Sequence, residues 1–264
     1  MSRIRLSLFA LLVPVVLLVG CGGDEVAMTE VSHEDTKDMV VWSPGGDGPW
    51  PVVYALPDTG IAQHDLDVLA PALADRGFLV IGTNWDASIL HPTDSERDVE
   101  CGYRYAREIA EDHGGDLSEP VTMLGNGFGG FEASVVGLDS RFGPDGNYSG
   151  CFTGTDRPDL VITVGTCHND YLEYVVTNYN NTDGKVAIIT GQDDDVCPAS
   201  LHVAPMLASL EESGIEATTT EIADASHGEL VFHDEDNRWA PLPEDDPVGQ
   251  DTVDAIAQAI ADAR

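Results

Sequence analysis

Short runs of apolar and β-branched residues recur along the chain. They alternate with segments whose apolar residues return every three or four positions. The runs Met39–Trp42, Val52–Leu56, Phe78–Thr83, Val121–Leu124, Leu160–Gly165, Val186–Thr190 and Ala217–Ile222 predict strands. Leu66–Arg76, Ser95–Glu111, Phe128–Leu138 and Ser200–Ser213 carry the helical period, and Gln250–Ala263 predicts a last helix after a Pro-rich acidic loop. Strands without polar alternation need cover on both faces. The pattern therefore predicts an α/β fold, a mostly parallel central sheet with helices on both sides. In such sheets sites form where loops leave the carboxyl ends of the strands, so the loops to inspect follow Leu56, Thr83, Leu124, Gly165, Thr190 and Ile222.

The N-terminus does not fit that alternation. Arg3 and Arg5 precede an apolar stretch, Leu6–Val19, which reads as an export signal too short for a stable membrane span. Its ending, Leu18-Val19-Gly20-Cys21, resembles the lipobox of prokaryotic lipoproteins. That resemblance implies cleavage before Cys21, lipidation of its thiol, and a folded part outside the cytoplasm, held to the membrane by the lipid. Residues 22–36, GGDEVAMTEVSHEDT, are small, polar and acidic and are expected as a flexible tether, leaving 37–264 as one domain.

Charge narrows the partners. Forty-seven acidic residues against 12 basic ones give a net charge of −35, which repels nucleic acid and rules it out as a partner. The carboxylates are spread along the whole chain, as on solvated surfaces of proteins from very salty habitats. With Cys21 set aside, Cys101, Cys151, Cys167 and Cys197 remain, and four cysteines allow three pairings. Cys167 and Cys197 each follow a predicted strand and are expected to pair near the site rim, leaving Cys101 with Cys151; free buried thiols are the alternative. Neither His168 nor the cluster His233–Asp236 has metal-ligand spacing, and no cofactor is expected.

The stretch GNGFGG, residues 125–130, lies between a predicted strand and a predicted helix. It satisfies the G-x-G-x-x-G of a dinucleotide turn. That reading, however, requires a second strand soon after, ending in an acid for the ribose, and none comes before Leu160. The other template is G-x-S-x-G, the sharp strand-to-helix turn that presents a nucleophile. Gly125 and Gly129 then take the flanking positions and Gly127 the tip, where only the serine is missing. Downstream, Asp194 follows one predicted strand and His227, in Ala225-Ser226-His227, follows the next, matching the order nucleophile, acid, base.

With these residues together the chain resembles the dienelactone-hydrolase and cutinase-like (polyester-hydrolase) branch of the α/β-hydrolases over roughly residues 40–260. The Asp194-Asp195-Val196-Cys197-Pro198 run, the A-S-H turn, and Leu56-Pro57-Asp58-Thr59-Gly60 before a helix carry the match. The resemblance implies Asp194 as acid, His227 as base, and an oxyanion hole at Phe128, Asp58 and Thr59, around a small acyl-type ligand. A carboxylate at Asp58 would oppose negative charge there if it faced the site. Glycine at 127 cannot attack an acyl carbon. Three readings follow. The chain is a pseudo-hydrolase that binds a ligand or surface partner. Alternatively it is a hydrolase using water activated by His227 and Asp194 or a displaced nucleophile such as Cys167, or it is a variant of an ordinary serine esterase. The loop Asp139–Asp159 is the candidate lid.

Overall fold

The computed structural model describes residues 25–32, 38–58, 66–85, 92–138, 157–168, 184–230 and 247–264. The export signal with Cys21, Thr59, Cys151 and nearly all of the candidate lid at 139–159 lie outside the described residues. Among the described residues no helix is long and apolar enough to cross a membrane.

Eight strands form one sheet: β1 (Ala27–Val31), β2 (Met39–Ser43), β3 (Val52–Leu56), β4 (Leu79–Thr83), β5 (Thr122–Asn126), β6 (Leu160–Val164), β7 (Lys185–Gly191) and β8 (Glu216–Ile222). Their spatial order is β1-β2-β4-β3-β5-β6-β7-β8. The first two strands pair antiparallel, β2 also runs antiparallel to β4, and every later pair is parallel. Among the described residues the α-helices are α1 (Leu69–Ala74), α2 (Pro92–Ala110), α3 (Phe128–Leu138), α4 (Ala199–Glu212), the single turn α5 (His227–Leu230) and α6 (Pro247–Ala263).

The central strands β3 to β6 are buried at every position, which is why they lack polar alternation. One face, with Tyr54, Leu56, Ile81, Met123, Val161 and Ile188, packs against Val99 and Tyr103 of α2, Val135 of α3 and Met206 of α4. The opposite face, with Val53, Ala55, Val80, Leu124 and Ile162, packs against Leu69 and Leu73 of α1 and Val253, Ile256 and Ile260 of α6. The parallel strands all point their carboxyl ends to one edge, and there the loops carrying residues 58, 127, 167, 194 and 227 emerge.

Besides shifts of up to three residues at the ends of α1 and α2, three differences from expectation bear on the sheet and the site. Residues 27–31, expected within the flexible 22–36 segment, form β1 and pair with Met39–Ser43. The acidic composition hides this strand because it is an edge strand open to water, with Met28 47% exposed. Helix α6 starts at Pro247, inside the loop expected to precede it; proline suits a first helical turn, whose N–H groups have no intrahelical partner. Strand β5 runs to Asn126, so the turn begins at Gly127 itself.

Candidate active site

The strand-to-helix corner is tight. A Cβ on Gly125 would overlap the Gly129 carbonyl, and one on Gly129 would overlap the carbonyls of Leu56 and Pro57. These contacts let α3 start almost on top of β5 and β3. At the tip, Gly127 adopts φ +53°, in the left-handed region where a side chain costs about 1–2 kcal/mol. Its amide donates to Val164 O across the sheet at 2.8 Å, and its carbonyl accepts from Gly130 N at 3.1 Å.

The next amide is the one this geometry aims into the site. Phe128 N–H donates to Asp58 Oδ1 at 2.6 Å. A Cβ on Gly127 would collide with the Asp58 carboxylate itself. Asp58, arriving from the end of β3, therefore fills both the space a tip side chain would take and the hydrogen bond an oxyanion would take. Its carboxylate also gains from the partial positive charge at the start of α3. Trp85 holds this arrangement from behind: its Nε1–H donates to Pro57 O at 3.2 Å, and its ring stacks on Phe128 with centroids 5.5 Å apart. Of the expected oxyanion-hole set, then, Phe128 N–H is present, Thr59 lies outside the described residues, and Asp58 supplies a carboxylate acceptor at the Phe128 amide.

On the far side, His227 Nδ1 lies 3.0 Å from Asp194 Oδ2. Asp194 is buried and its other oxygen accepts the amides of Val196 at 3.1 Å and Cys197 at 2.7 Å. Burial pushes the Asp194 carboxyl up, but the hydrogen bonds from His227 and Cys197, the His227 charge and the Val196 amide together hold it below the usual range. An ionised carboxylate only accepts, so the proton on this bond sits on His227 Nδ1, and Nε2 is the ring nitrogen opposite it. The two loops are zipped by Gln192 N to Ile222 O at 2.9 Å and Asp193 N to Ala225 O at 3.0 Å. His227 itself opens α5, whose start carries one half of a capping box: Ser226 N–H and Oγ–H both donate to Glu229 Oε2, at 2.8 and 2.6 Å. The S-x-x-E spacing of Ser226 and Glu229 was the sequence signal for this turn, and the hydrophobic pattern alone passes over it.

Cys167 and Cys197 form a disulfide with Cα atoms 4.8 Å apart, following the adjacent strands β6 and β7. That bond removes Cys167 from the candidate displaced nucleophiles, because a disulfide sulfur is not a thiolate. The same holds for a trio of Asp194, Cys197 and His227 whose ligand atoms lie within 4.8 Å of one another: its sulfur is already bonded. Cys101 is also disulfide-bonded, while its expected partner Cys151 lies outside the described residues. His168, next to the disulfide, is buried with Nε2 3.3 Å from Thr163 Oγ1; burial and neighbouring His202 push its pKa down to about 3, so it stays neutral.

With this geometry in view, solved structures decide the fold. Esterase B from Lactobacillus rhamnosis superposes with a TM-score of 0.68 at 15% identity, over 90% of this chain and 87% of that one. The fold is that of the α/β-hydrolases. MGS-M1, an α/β-hydrolase enzyme from a Medee basin deep-sea metagenome library, matches over 91% and 98% of the two chains with a TM-score of 0.64 at 14% identity. A thermophilic esterase from Thermogutta terrifontis, bound to butyrate, matches over 91% and 94% with a TM-score of 0.62 at 13% identity. No family model matches the sequence, and no curated protein matches it either. At these identities the likeness speaks for the α/β-hydrolase fold and not for an activity.

Proposed function

We propose that this chain descends from an esterase of the dienelactone-hydrolase and cutinase-like branch. In this reading it has lost acyl-enzyme catalysis and serves as a ligand- or partner-binding pseudo-hydrolase, anchored outside the cytoplasm by lipidated Cys21. One observation carries the catalytic part: the Asp58 carboxylate bonded to Phe128 N–H, with no room for a side chain on Gly127. Acyl transfer needs a nucleophile at the tip and a free donor for the oxyanion, and both places are taken. Losing the nucleophile alone costs a triad enzyme about 10⁶ in turnover.

A second reading is favoured by the His227–Asp194 pair, which retains the form of a general base able to activate water. Hydrolysis of short p-nitrophenyl esters in high salt separates the two. The binding reading expects no turnover above background, and the same trace for His227→Ala. Robust turnover abolished by His227→Ala overturns it. For the anchor, Cys21→Ser is expected to release the protein from the membrane fraction.

A further inference from the structure

We propose that Cys167, Asp194, Cys197 and His227 form a zinc site which the Cys167–Cys197 disulfide keeps closed and reduction opens. This goes beyond the functional reading above and does not depend on it. One carboxylate oxygen of Asp194, the sulfur of Cys197 and one ring nitrogen of His227 lie within 4.8 Å of one another. Asp194 and Cys197 are buried and His227 is partly so, so these donors meet inside the fold and not on an open acidic surface. Cys167 Sγ is bonded to Cys197 Sγ, which brings a second sulfur to the same point. Around a tetrahedral zinc, with bonds of about 2.0–2.3 Å, neighbouring donors sit about 3.3–3.8 Å apart. The 3.0 Å between His227 Nδ1 and Asp194 Oδ2 is already near that spacing.

The donors are also held from behind, as outer bonds orient the ligands of metal sites. Asp194 Oδ1 accepts the amides of Val196 and Cys197, which aims Oδ2 at His227, and backbone bonds from Gln192 and Asp193 tie the two loops together. Two thiolates, an imidazole and a carboxylate suit zinc, whereas magnesium and calcium take oxygen donors. While the disulfide is closed neither sulfur is a thiolate, and only two donors remain. A reducing thiolate can reach Cys167, which is partly exposed, while Cys197 is 2% exposed. Attack on Cys167 Sγ breaks the S–S bond and expels Cys197 as a thiolate, just ahead of α4, whose positive N-terminal end favours that charge. A second external thiol then frees Cys167, so the protein gains two electrons and two protons and the reductant becomes a disulfide. Zinc binding sends the two thiol protons to solvent, and the imidazole proton stays on the ring nitrogen facing away from the metal.

Cobalt(II) titration of the full chain tests this, because tetrahedral cobalt bound to thiolates absorbs in the near ultraviolet and strongly in the visible. The chain is reduced with a phosphine, which takes an oxygen from water and leaves two thiols per disulfide. The reduced native chain is expected to take up cobalt with both bands, and zinc but not magnesium should displace it. The unreduced chain should bind at least about 100-fold more weakly, since even outer partners of a metal site are worth about 10–100-fold and here two ligands are lost. Reduced Asp194→Asn and His227→Ala, whose folding is checked before reduction, should each bind at least about tenfold more weakly. The double variant Cys167→Ser/Cys197→Ser controls for the thiols elsewhere in the chain. Bands of native strength in that variant, equal binding by the unreduced chain, no bands in the reduced native chain, or undiminished binding by His227→Ala overturns the proposal. If the reduced chain does not hold its fold without metal, zinc should restore its far-ultraviolet circular dichroism, and failure to do so overturns the proposal equally.

Discussion

Gly127→Ser is the obvious attempt to restore an esterase, and the structure says that it fails alone. Two costs follow from the geometry. A side chain at φ +53° costs about 1–2 kcal/mol in backbone strain. Its Cβ would also overlap Asp58, so the carboxylate must leave and give up its 2.6 Å bond from Phe128 N–H, worth about 1.5–3 kcal/mol as a hydrogen bond to a charged group. Together these destabilise by about 2.5–5 kcal/mol, a large share of the roughly 5–15 kcal/mol that holds a domain folded. For a domain of this size that corresponds to a fall in Tm of roughly 5–20 °C. Asp58→Gly removes the collision as well as the bond, so in that background Gly127→Ser should cost only the strain, a coupling of about 1.5–3 kcal/mol between the two positions. Thermal unfolding of the four chains closes this cycle, and a fluorophosphonate probe reads the nucleophile. Labelling is expected only in the double variant, where the introduced serine meets a free Phe128 amide. Equal destabilisation by Gly127→Ser in both backgrounds, or labelling of the single variant, would refute the reasoning.

Two further expectations concern the scaffold. Reduction, or replacement of Cys167 and Cys197 by alanine, opens a link across a separation of 30 residues and should cost roughly 3–4 kcal/mol on the chain-entropy argument; thiol titration of the denatured, unreduced chain should find neither of these two free, and finding both would refute the bond. Buried His168, whose pKa is lowered to about 3, binds its proton less readily in the folded than in the unfolded chain. Its contribution is therefore complete above the unfolded value of 6.5 and is lost as pH falls from there toward 3, by up to about 1.4 kcal/mol per pH unit. His168→Asn should flatten this part of the stability–pH profile measured by denaturant unfolding, and an unchanged slope would refute it.

The fold was legible where burial on both faces left its mark. The central strands, buried at every position, read as unbroken apolar runs, and their alternation with helices gave the parallel sheet without further information. Edge strand β1 was not legible, because Met28 and the polar positions beside it face water and carry no period that separates strand from tether. In the candidate site, Asp194 and His227 could be singled out because each lies directly after a strand, and the Cys167–Cys197 pairing because β6 and β7 are neighbours. What the string Leu56-Pro57-Asp58-Thr59-Gly60 could not say is which way Asp58 points. That depends on Trp85 fixing the Pro57 carbonyl across 28 positions, on the Phe128 amide 70 positions beyond Asp58, and on the missing Cβ of Gly127. Only tertiary packing brings these groups together.

The Asp194–His227 pair beside the occupied corner is held in place by the fold's own stability. Asp194 is a buried charge, and a buried carboxylate is tolerated only when its oxygens are bonded. Two amides satisfy Oδ1, and His227 is the described partner of Oδ2. Removing His227 alone would leave that oxygen buried and unmet, at a cost of about 1–3 kcal/mol or more for a charged group. Removing Asp194 alone would strip the acceptor from two amides next to the disulfide and loosen the loop zipped to Ala225. Either single step is uphill, so the pair holds itself in place whether or not it moves a proton. Gly127 and Asp58 are under no such constraint: glycine at the tip relieves strain, and the carboxylate finds a ready donor and a helix start. On the descent proposed above, fold stability protects the Asp194–His227 half of the site and leaves the Gly127–Asp58 half free to change.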